Sequence, residues 1–488
     1  MKTFLITKYT RQVRFGSLLI AGILATCLIP GLASTPIQPG PNILLIIADD
    51  MNDWIGPMAG HPQAKTPNLD RLASRGMTFL NAHCAAPICN PSRTAMLSGQ
   101  RPTTTGIYNN QQSWMKHIPA GRCLNDYLRQ HGFASLGAGK IYHYRNYKPE
   151  EWDEVFYPRD DTLPNSVAER TPGPFGYRMF TEGKPEAAYQ EQREEELLVD
   201  AQSAAWCARQ LERPGRFFMV CGLHRPHTPW DVPKKYFDLY ALESIKLPLV
   251  ISNDLADVPP AGIAFAQPKG AHANITKAGL WKDRVRAYLA AVSFADAQVG
   301  RLLDALDKSA HRDNTIIVFV GDHGWHLGEK EHWAKSALWR RATQVPFIWV
   351  APGVTKAGSR CEEAVDMMSI YPTLCELAGV EVPKHVEGVS IKPLLANSKA
   401  RWTQPALISH LRGNHAVCTA DWRYIRYADG TEELYDERKD PNEWTNVATS
   451  PVLADVKKRL TTYLPVTEAT PVQEVVPPAK KKKKKGAS

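Results

Sequence analysis

The sequence predicts an α/β fold: a large, mainly parallel central sheet flanked by helices, followed by a small C-terminal antiparallel β subdomain with a helix. Apolar runs of strand length alternate with stretches of helical spacing, which is the pattern of parallel strands joined by helices. Beyond about residue 395 the pattern changes to short strands and a tight turn. With 488 residues, 43% of them hydrophobic, the chain can bury one large core and a smaller one.

Three apolar runs predict buried strands, and polar residues follow each of them. The run "NILLIIADD" (42–50) ends in two carboxylates, "RFFMVCGLHRPH" (216–227) in two histidines and "NTIIVFVGDHG" (314–324) in Asp-His. Between the last two, "DRVRAYLAAVSFADAQVGRLLDALDKS" has apolar residues at helical spacing. One such ending could be a capped turn. Three together indicate a site, because ligands bind beyond the carboxyl ends of strands in open α/β sheets.

The C-terminal region divides into a small subdomain and a tail. The segment "WRYIRYADGTEELYDERKDPNEWTNVA" predicts a hairpin that turns at Asp429-Gly430, and a closing helix is expected over 452–463. We therefore predict a main α/β domain over 41–395, a β-rich subdomain over 396–465 and a disordered Lys-rich tail over 466–488.

The first 34 residues predict a secretory signal peptide, because basic residues precede the apolar run "FGSLLIAGILATCLIPGLAS". Pro30 interrupts that run, which favours cleavage over a membrane anchor, so no stable membrane span is expected afterwards. The expected location is periplasmic or secreted. In such an oxidising compartment, the seven cysteines other than Cys27 and Cys89 could form up to three disulfides.

The net charge of +9 lies mainly at the two ends of the chain. Without residues 1–40 and 466–488, 49 basic residues face 48 acidic ones. A nearly neutral body gives no electrostatic reason to expect a nucleic-acid partner.

The carboxylates at the strand ends suit a hard cation. Asp49, Asp50 and Asp322 offer oxygen ligands, which calcium or magnesium prefers over zinc, whereas His323 is a softer ligand. Such an ion would lower the cost of bringing an anionic substrate and an anionic nucleophile together.

A cysteine precedes a predicted helix in "CAAPICNPSRTAMLSGQRP" (84–102). Asn90 as N-cap and Pro91 at the first helical position predict a helix over 91–98 that stops at Gly99. Cys89 would then face the positive end of the helix, close to Arg93. A low-pKa thiolate is one interpretation, but an oxidising compartment threatens a free thiol.

Further cationic candidates recur in three other segments, and together with Arg93 they predict a pocket for a tetrahedral oxyanion. They are Lys140 and His143, His224 and His227, and His332 and Lys335. Pro226 and Pro229 place the His224/His227 pair on a loop.

Together these motifs resemble the type I, formylglycine-dependent sulfatases. "CNPSR" followed by "LSG" matches the family's C-x-P-S-R pattern with a downstream [ST]-G, and the similarity continues through "TPNLDRLASRGMTFLNAHC" and "ELYDERKDP". The chain is most similar to the iduronate-2-sulfatase-like branch. Asp322-His323 replaces Asp-Asn, two residues separate Lys140 from His143, and "DHGWHLGEKEHWAK" and the His-Arg-Pro-His segment also fit.

The resemblance implies an alkaline-phosphatase-like sandwich that hydrolyses sulfate esters of a sulfated sugar or polysaccharide, with an iduronate-2-sulfate-like unit as a plausible substrate. It implies that a maturation enzyme oxidises Cys89 to Cα-formylglycine, whose hydrate is the nucleophile. The second hydroxyl of that hydrate allows the enzyme to expel sulfate and return to the aldehyde.

The resemblance also implies the roles of individual residues. Calcium would be held by Asp49, Asp50, Asp322, His323 and the modified Cys89. Arg93 would orient the hydrate, and Lys140 and Lys335 would bind the sulfate oxygens. His143 would act as general base, and His227, together with Lys335, would act as general acid.

Substrate contacts are predicted for four further residues. Trp325 would either stack on a sugar ring or pack in the core. Arg412, Asn414 or His415 would contact a sugar carboxylate or hydroxyl; the alternative is that these residues only form a turn around Gly413. The alternative activity is that of a phosphonate or phosphodiester hydrolase of the alkaline phosphatase superfamily. A non-catalytic glycan binder is disfavoured, because nucleophile, metal, acid and base candidates are all present.

Overall fold

A large mixed sheet forms the centre of the computed structural model, which describes residues 40–143, 147–158 and 194–474. The predicted signal peptide lies outside these residues. In the described part the sheet has eight strands, which are numbered along the chain and lie in the spatial order β11 (Ser359–Cys361), β2 (Met77–Phe79), β10 (Phe347–Val350), β7 (Thr315–Gly321), β1 (Asn42–Asp49), β6 (Phe217–Pro226), β4 (Ala134–Gly139) and β5 (Glu154–Phe156). Only β10 pairs antiparallel to its neighbours, so the predicted mainly parallel sheet is confirmed.

The smaller sheets use the remaining described strands. The pairs are β3 (Ala82–His83) with β12 (Val365–Asp366) and β8 (His326–Leu327) with β9 (Trp333–Ala334), and the C-terminal antiparallel sheet contains β13 (Ala406–Ser409), β14 (His415–Cys418), β15 (Trp422–Arg426) and β16 (Glu432–Asp436).

Strand β1 lies between β6 and β7 and is buried along its whole length. Its alternate residues enter opposite apolar cores, with Leu45 on one face and Leu44 on the other. A strand buried on both faces must be apolar throughout, which explains the uninterrupted run in the sequence. Because β1, β6 and β7 are parallel, their carboxyl ends lie side by side, as predicted.

Helices cover the sheet, and the longest described one, of 28 residues, is the helix predicted between the second and third apolar runs. The helices are α1 (Pro67–Arg75), α2 (Cys89–Ser98), α3 (Pro102–Thr105), α4 (Trp114–His117), α5 (Leu124–Gln130), α6 (Val199–Gln210), α7 (Lys234–Phe237), α8 (Pro260–Ala266), α9 (Ala271–Lys277), α10 (Trp281–Lys308), α11 (Arg340–Thr343), α12 (Ile370–Ala378), α13 (Lys392–Ala396) and α14 (Ala454–Thr461). None of the helices in the described ranges has the length and apolar character needed to span a membrane.

The C-terminal subdomain has the predicted hairpin and closing helix. The turn between β15 and β16 contains Gly430 at φ 85°, a conformation that glycine adopts without strain. Helix α14 is shorter than predicted, because a 3-10 turn occupies Pro451–Leu453. Leu460 of this helix packs beneath the sheet against Tyr424 and Leu434.

The tail begins later than the sequence predicts. Residues 466–474, named the C-terminal strap, lie along the segment 103–112. The Ala469 N–H donates to the Thr103 carbonyl oxygen (2.7 Å) and the Val472 N–H to that of Gly106 (3.0 Å). The prediction of disorder is therefore wrong for the strap, because composition does not show these backbone bonds. Residues 475–488 lie outside the described part.

Each of the eight cysteines in the described ranges is a buried free thiol. The disulfides that an oxidising compartment would allow are therefore not formed between these residues.

Candidate active site

Helix α2 places Cys89 in its first turn. The helix begins at Cys89 rather than Pro91, after an extended Ile88, and it ends at Gly99 (φ 71°) as predicted. The predicted N-cap at Asn90 is wrong, because the Asn90 side chain donates to the carbonyl oxygens of Asn109 (2.9 Å) and Gln112 (2.8 Å). Free backbone N–H groups at a helix start favour negative charge, so Cys89 lies in an anion-attracting position.

The C-terminal strap supports this position indirectly. The Tyr108 hydroxyl donates to the Ala469 carbonyl oxygen (3.0 Å), and the Gln112 side chain donates to that of Val472 (2.7 Å). Because the same loop holds the Asn90 side chain, the strap and the start of helix α2 are linked through one loop. No sequence motif indicated this link.

The strand ends bring the predicted metal ligands together. Ligand atoms of Asp49, Cys89, Asp322 and His323 all lie within 4.8 Å of one another, and all four side chains are buried. The Asp322 N–H donates to the Ala48 carbonyl oxygen at 3.0 Å. Asp50 joins the same cluster in a left-handed conformation (φ 63°), and its N–H donates to Asp322 Oδ1 (3.1 Å).

This cluster fits a hard cation. Asp50 Oδ2 is buried and has no hydrogen-bond partner among the described residues. Burial, with Asp49 adding to its effect and Lys335 opposing it, raises the pKa of Asp50 to about 8. Although burial lowers the pKa of His323, the charge of Asp322 raises it to about 9. Crowded carboxylates with an unsatisfied oxygen form the donor set that calcium prefers.

Cationic groups surround the Cys89 sulfur. Lys335 Nζ lies 3.0 Å from Cys89 Sγ and 2.6 Å from Asp50 Oδ1. Lys140 Nζ lies 4.0 Å from the sulfur and also contacts Asp49. Burial and Asp49 raise the pKa of the Cys89 thiol, but the charges of Lys140, Lys335 and His323 outweigh them and lower it overall. Any anion at this position would be stabilised in the same way.

Arg93 is buried beneath the pocket. Its Nε donates to Asp322 Oδ2 (2.7 Å), and its NH1 donates to the Ile141 carbonyl oxygen (3.1 Å). These bonds hold the guanidinium between the metal cluster and the segment that follows β4.

The loop that presents Lys335 has an unusual backbone. Lys330, Glu331, Ala334 and Ser336 all have positive φ values between 48° and 81°. Such conformations cost energy in non-glycine residues and cluster at functional sites. His332 lies beside this loop, and its Nε2 is 2.8 Å from the Lys335 carbonyl oxygen. His332 therefore supports the loop that presents Lys335.

Three histidines line the pocket. His143 is 5% exposed, and burial together with Lys140 and Lys335 lowers its pKa far below the usual value. His224 lies inside β6, which corrects the predicted loop, and His227 follows the strand. Burial and Lys140 also lower the pKa of His227. Its Nδ1 donates to the Thr228 carbonyl oxygen (2.5 Å), and its Nε2 lies 3.9 Å from Asp50 Oδ2.

The structure does not support the predicted stacking of Trp325 on a sugar. The Trp325 side chain is fully buried. It packs edge-on against Trp230, and the Lys335 ammonium lies 5.6 Å from its ring centroid. Trp325 is therefore a core residue beneath Lys335.

The predicted sugar contacts in the 411–415 turn serve the strap instead. Glu468 accepts a hydrogen bond from the Gly413 N–H (2.9 Å), lies 3.2 Å from His415 Nε2, and its carbonyl oxygen accepts from Arg412 (3.4 Å). Asn414 Oδ1 accepts from the Ala428 N–H (3.0 Å). The turn interpretation therefore explains Asn414 and His415, which are buried and bonded within the fold, while Arg412 is exposed and contacts the strap through one nitrogen.

The assembled pocket combines a buried reactive position, two ammonium groups, a cation-binding cluster and neutral histidines. The ammonium groups can neutralise the oxygens of a bound tetrahedral anion, and His143 and His227 can transfer protons. This combination on an α/β sheet defines a hydrolase that acts on esters of tetrahedral oxyanions.

Comparisons with known proteins assign the chain more narrowly. It matches the Sulfatase family model over residues 41–380 and that of the N-sulphoglucosamine sulphohydrolase C-terminal region over 328–469. It is 38% identical over 456 residues to a sulfatase of Formosa agariphila (88% of this chain, 87% of the relative). It is 31% identical over 387 residues to the iduronate 2-sulfatase of Homo sapiens (70% of each). The chain thus belongs to the sulfatase family and is a sulfuric ester hydrolase.

The fold agrees with solved structures. A phosphonate monoester hydrolase from Silicibacter pomeroyi superposes with a TM-score of 0.71 at 20% identity, covering 86% of this chain and 94% of that one. The predicted alkaline-phosphatase-like architecture is confirmed.

Proposed function

We propose that this enzyme is an exported sulfatase that releases sulfate from a sulfated sugar or polysaccharide, with an iduronate-2-sulfate-like unit as its substrate. The observation that supports the proposal is the pair of ammonium groups around Cys89 Sγ, with Lys335 at 3.0 Å and Lys140 at 4.0 Å, which suits a tetrahedral oxyanion. Membership of the sulfatase family favours sulfate as that anion. The similarity to iduronate 2-sulfatase supports the uronate. The predicted signal peptide supports export to the periplasm or beyond.

The pocket accommodates the two groups that the family implies. A formylglycine formed from Cys89 by a maturation enzyme would supply, as its hydrate, one hydroxyl to attack sulfur and a second to release sulfate. Calcium held by Asp49, Asp50, Asp322 and His323 would supply positive charge beside the nucleophile and the sulfate.

The protein's own residues perform the remaining steps in this proposal. Lys140 and Lys335 bind the sulfate oxygens and neutralise the charge that develops on them. Arg93, fixed by Asp322, keeps the nucleophile position oriented. His143 is neutral and accepts a proton from a hydroxyl. The Nδ1 proton of His227 is held by the Thr228 carbonyl oxygen, so His227 protonates the leaving oxygen only when its Nε2 also carries a proton, and the Lys335 ammonium, which already carries one, shares this acid role.

A mass spectrum of the tryptic peptide from Gly76 to Arg93, from protein produced in its own host, tests the nucleophile. A loss of about 18 Da relative to the thiol supports formylglycine, because the competing cysteine oxidations add mass or form disulfides. An intact thiol in active protein would overturn the proposal.

Turnover of an aryl sulfate against an aryl phosphodiester tests the reaction. A clear preference for the sulfate is expected. Preference for the phosphodiester would instead favour the phosphonate and phosphodiester hydrolases of the superfamily.

A further inference from the structure

His224 lies next to His227, and no step of the proposed mechanism uses it. It is half-buried near the end of β6, and its ring centroid lies 4.8 Å from that of His227. Cys89, by contrast, is fully buried and Lys335 is 7% exposed. A substrate whose sulfate reaches Cys89 would therefore place its sugar near His224.

The neighbouring Arg225 fixes the tautomer of His224. Arg225 NH1 lies 2.7 Å from His224 Nδ1. A guanidinium only donates hydrogen bonds, so Nδ1 must accept and the single ring proton must lie on Nε2. Burial, followed by the charges of Lys140 and Arg225, lowers the pKa of His224, which is consistent with a neutral ring.

The support for this arrangement comes from two directions. Arg225 is 7% exposed, and its NH2 donates to the Asp231 carbonyl oxygen (3.1 Å). Asp200 of α6 accepts hydrogen bonds from the backbone N–H groups of His224 (2.7 Å) and Arg225 (2.8 Å). Both the backbone and the ring orientation of His224 are therefore set before any ligand binds, which reduces the cost of binding.

The Nε2–H of His224 is available to a ligand. The hydrogen bonds that the structure shows for this residue use its backbone and Nδ1, and none within the described ranges uses Nε2. The ring lies beside the pocket, because its centroid is 4.8 Å from that of His227. A preorganised donor of this kind provides specificity, since a substrate without the matching acceptor forms one hydrogen bond fewer.

We propose that His224 is a specificity-determining residue whose Nε2–H donates to a sugar oxygen next to the sulfated carbon, either a carboxylate or a hydroxyl. The proposal rests on the function proposed above. In the proposed mechanism Lys140 and Lys335, beside Cys89, bind the sulfate oxygens, so His224 recognises the sugar and not the sulfate.

The test compares two variants on two substrates. His224→Phe keeps a ring but removes the donor, whereas His224→Gln retains an N–H. The substrates are 4-nitrophenyl sulfate and the sulfated sugar that the wild type cleaves best among 2-O-, 6-O- and N-sulfated uronates and hexosamines. For the sugar, we expect His224→Phe to raise KM about tenfold with little change in kcat. His224→Gln should restore part of that loss, and both variants should leave KM for 4-nitrophenyl sulfate near the wild-type value.

A spectroscopic measurement tests the tautomer without relying on a variant that folds. The ¹⁵N chemical shifts of the wild-type His224 ring should show a protonated Nε2 and an unprotonated Nδ1. A proton on Nδ1 would overturn the proposal.

The kinetic outcomes are equally decisive. Equal KM changes for both substrates, or none for either, would overturn the role of His224 while leaving the proposed function intact. A wild type that cleaves aryl sulfate and no sulfated sugar would overturn the proposed substrate class and this inference with it.

Discussion

The protein buries two clusters of charged side chains that differ in how completely they are satisfied. The first, named the junction cluster, joins the main domain to the C-terminal sheet and contains Arg423, Glu437, Glu443, Lys330 and Asp254. Arg423 Nε lies 2.5 Å from Glu443 and 3.0 Å from Glu437, and Lys330 Nζ lies 2.6 Å from Asp254. The Glu443 carboxylate also accepts hydrogen bonds from the Arg340 N–H.

The second is the pocket cluster around Asp50, and it is incomplete. Asp50 Oδ2 and Arg93 NH2 are buried without a hydrogen-bond partner in the described part of the chain. Burying a charge is costly unless it is paired. The pocket charges are paired through their other atoms, so the contrast lies in single buried polar atoms that lack a partner, and these atoms are where a ligand could bind.

The largest effect is expected at the pocket. Cys89→Ala should lower sulfatase activity at least about a thousandfold, because it removes the side chain proposed to become the nucleophile, with little change in melting temperature. Cys84→Ala, which removes another buried cysteine of the same stretch, is the control and should remain active. Substantial activity in Cys89→Ala would contradict the assignment.

At the junction cluster we expect a loss of stability without a loss of activity. Arg423→Met should lower the free energy of unfolding by about 3–5 kcal/mol, because it removes the buried guanidinium that pairs with both Glu437 and Glu443. Urea denaturation measures this change, and kcat of the folded enzyme should stay near the wild-type value. Arg438→Met removes a half-exposed arginine from the same subdomain and should leave stability unchanged. Similar results for both arginines would remove the distinction between the clusters.

Calcium should stabilise the protein through the pocket cluster alone. At a free concentration one hundred times its Kd, it should add about 2.7 kcal/mol to the free energy of unfolding, measured by denaturation with and without a chelator. Asp50→Asn should abolish this increment. Asp254→Asn removes a buried carboxylate of the junction cluster. This variant should still gain the same free energy of unfolding from calcium. An increment that survives in Asp50→Asn would place the ion elsewhere.

The smallest expected effect is a pH dependence from the junction cluster. Burial raises the pKa of Glu443 from 4.5 to about 7, against the charge of Arg423. Between these values the native state binds more protons than the unfolded state, so the free energy of unfolding should fall as pH rises through this window. Glu443→Gln should make this fall with pH smaller. Glu212→Gln, which changes an exposed carboxylate, should leave the pH dependence as it is in the wild type. An unchanged slope in Glu443→Gln would assign the titration to another group.

The sequence predicts the strand ends well, because a buried parallel strand and the residues that follow it are local patterns. Asp49 and Asp322 are examples. The sequence does not predict the contacts of a side chain whose partner lies far away along the chain. Asn90 was expected to cap its own helix but binds carbonyls of residues 109 and 112, and His415 was expected to bind sugar but contacts Glu468. The burial of Trp325 likewise depends on packing against Trp230, which no local pattern specifies.

The C-terminal strap has a consequence for the biosynthesis of the enzyme. Residue 89 leaves the ribosome nearly four hundred residues before residue 474. At about 5–20 residues per second, tens of seconds separate the two events. Throughout that interval the Thr103 and Gly106 carbonyl oxygens lack the partners that the strap provides, and the loop that holds Asn90 lacks its outer support. The loop next to Cys89 therefore gains its outer support only after residue 474 has been made, and this interval is the time in which the proposed maturation enzyme would reach Cys89.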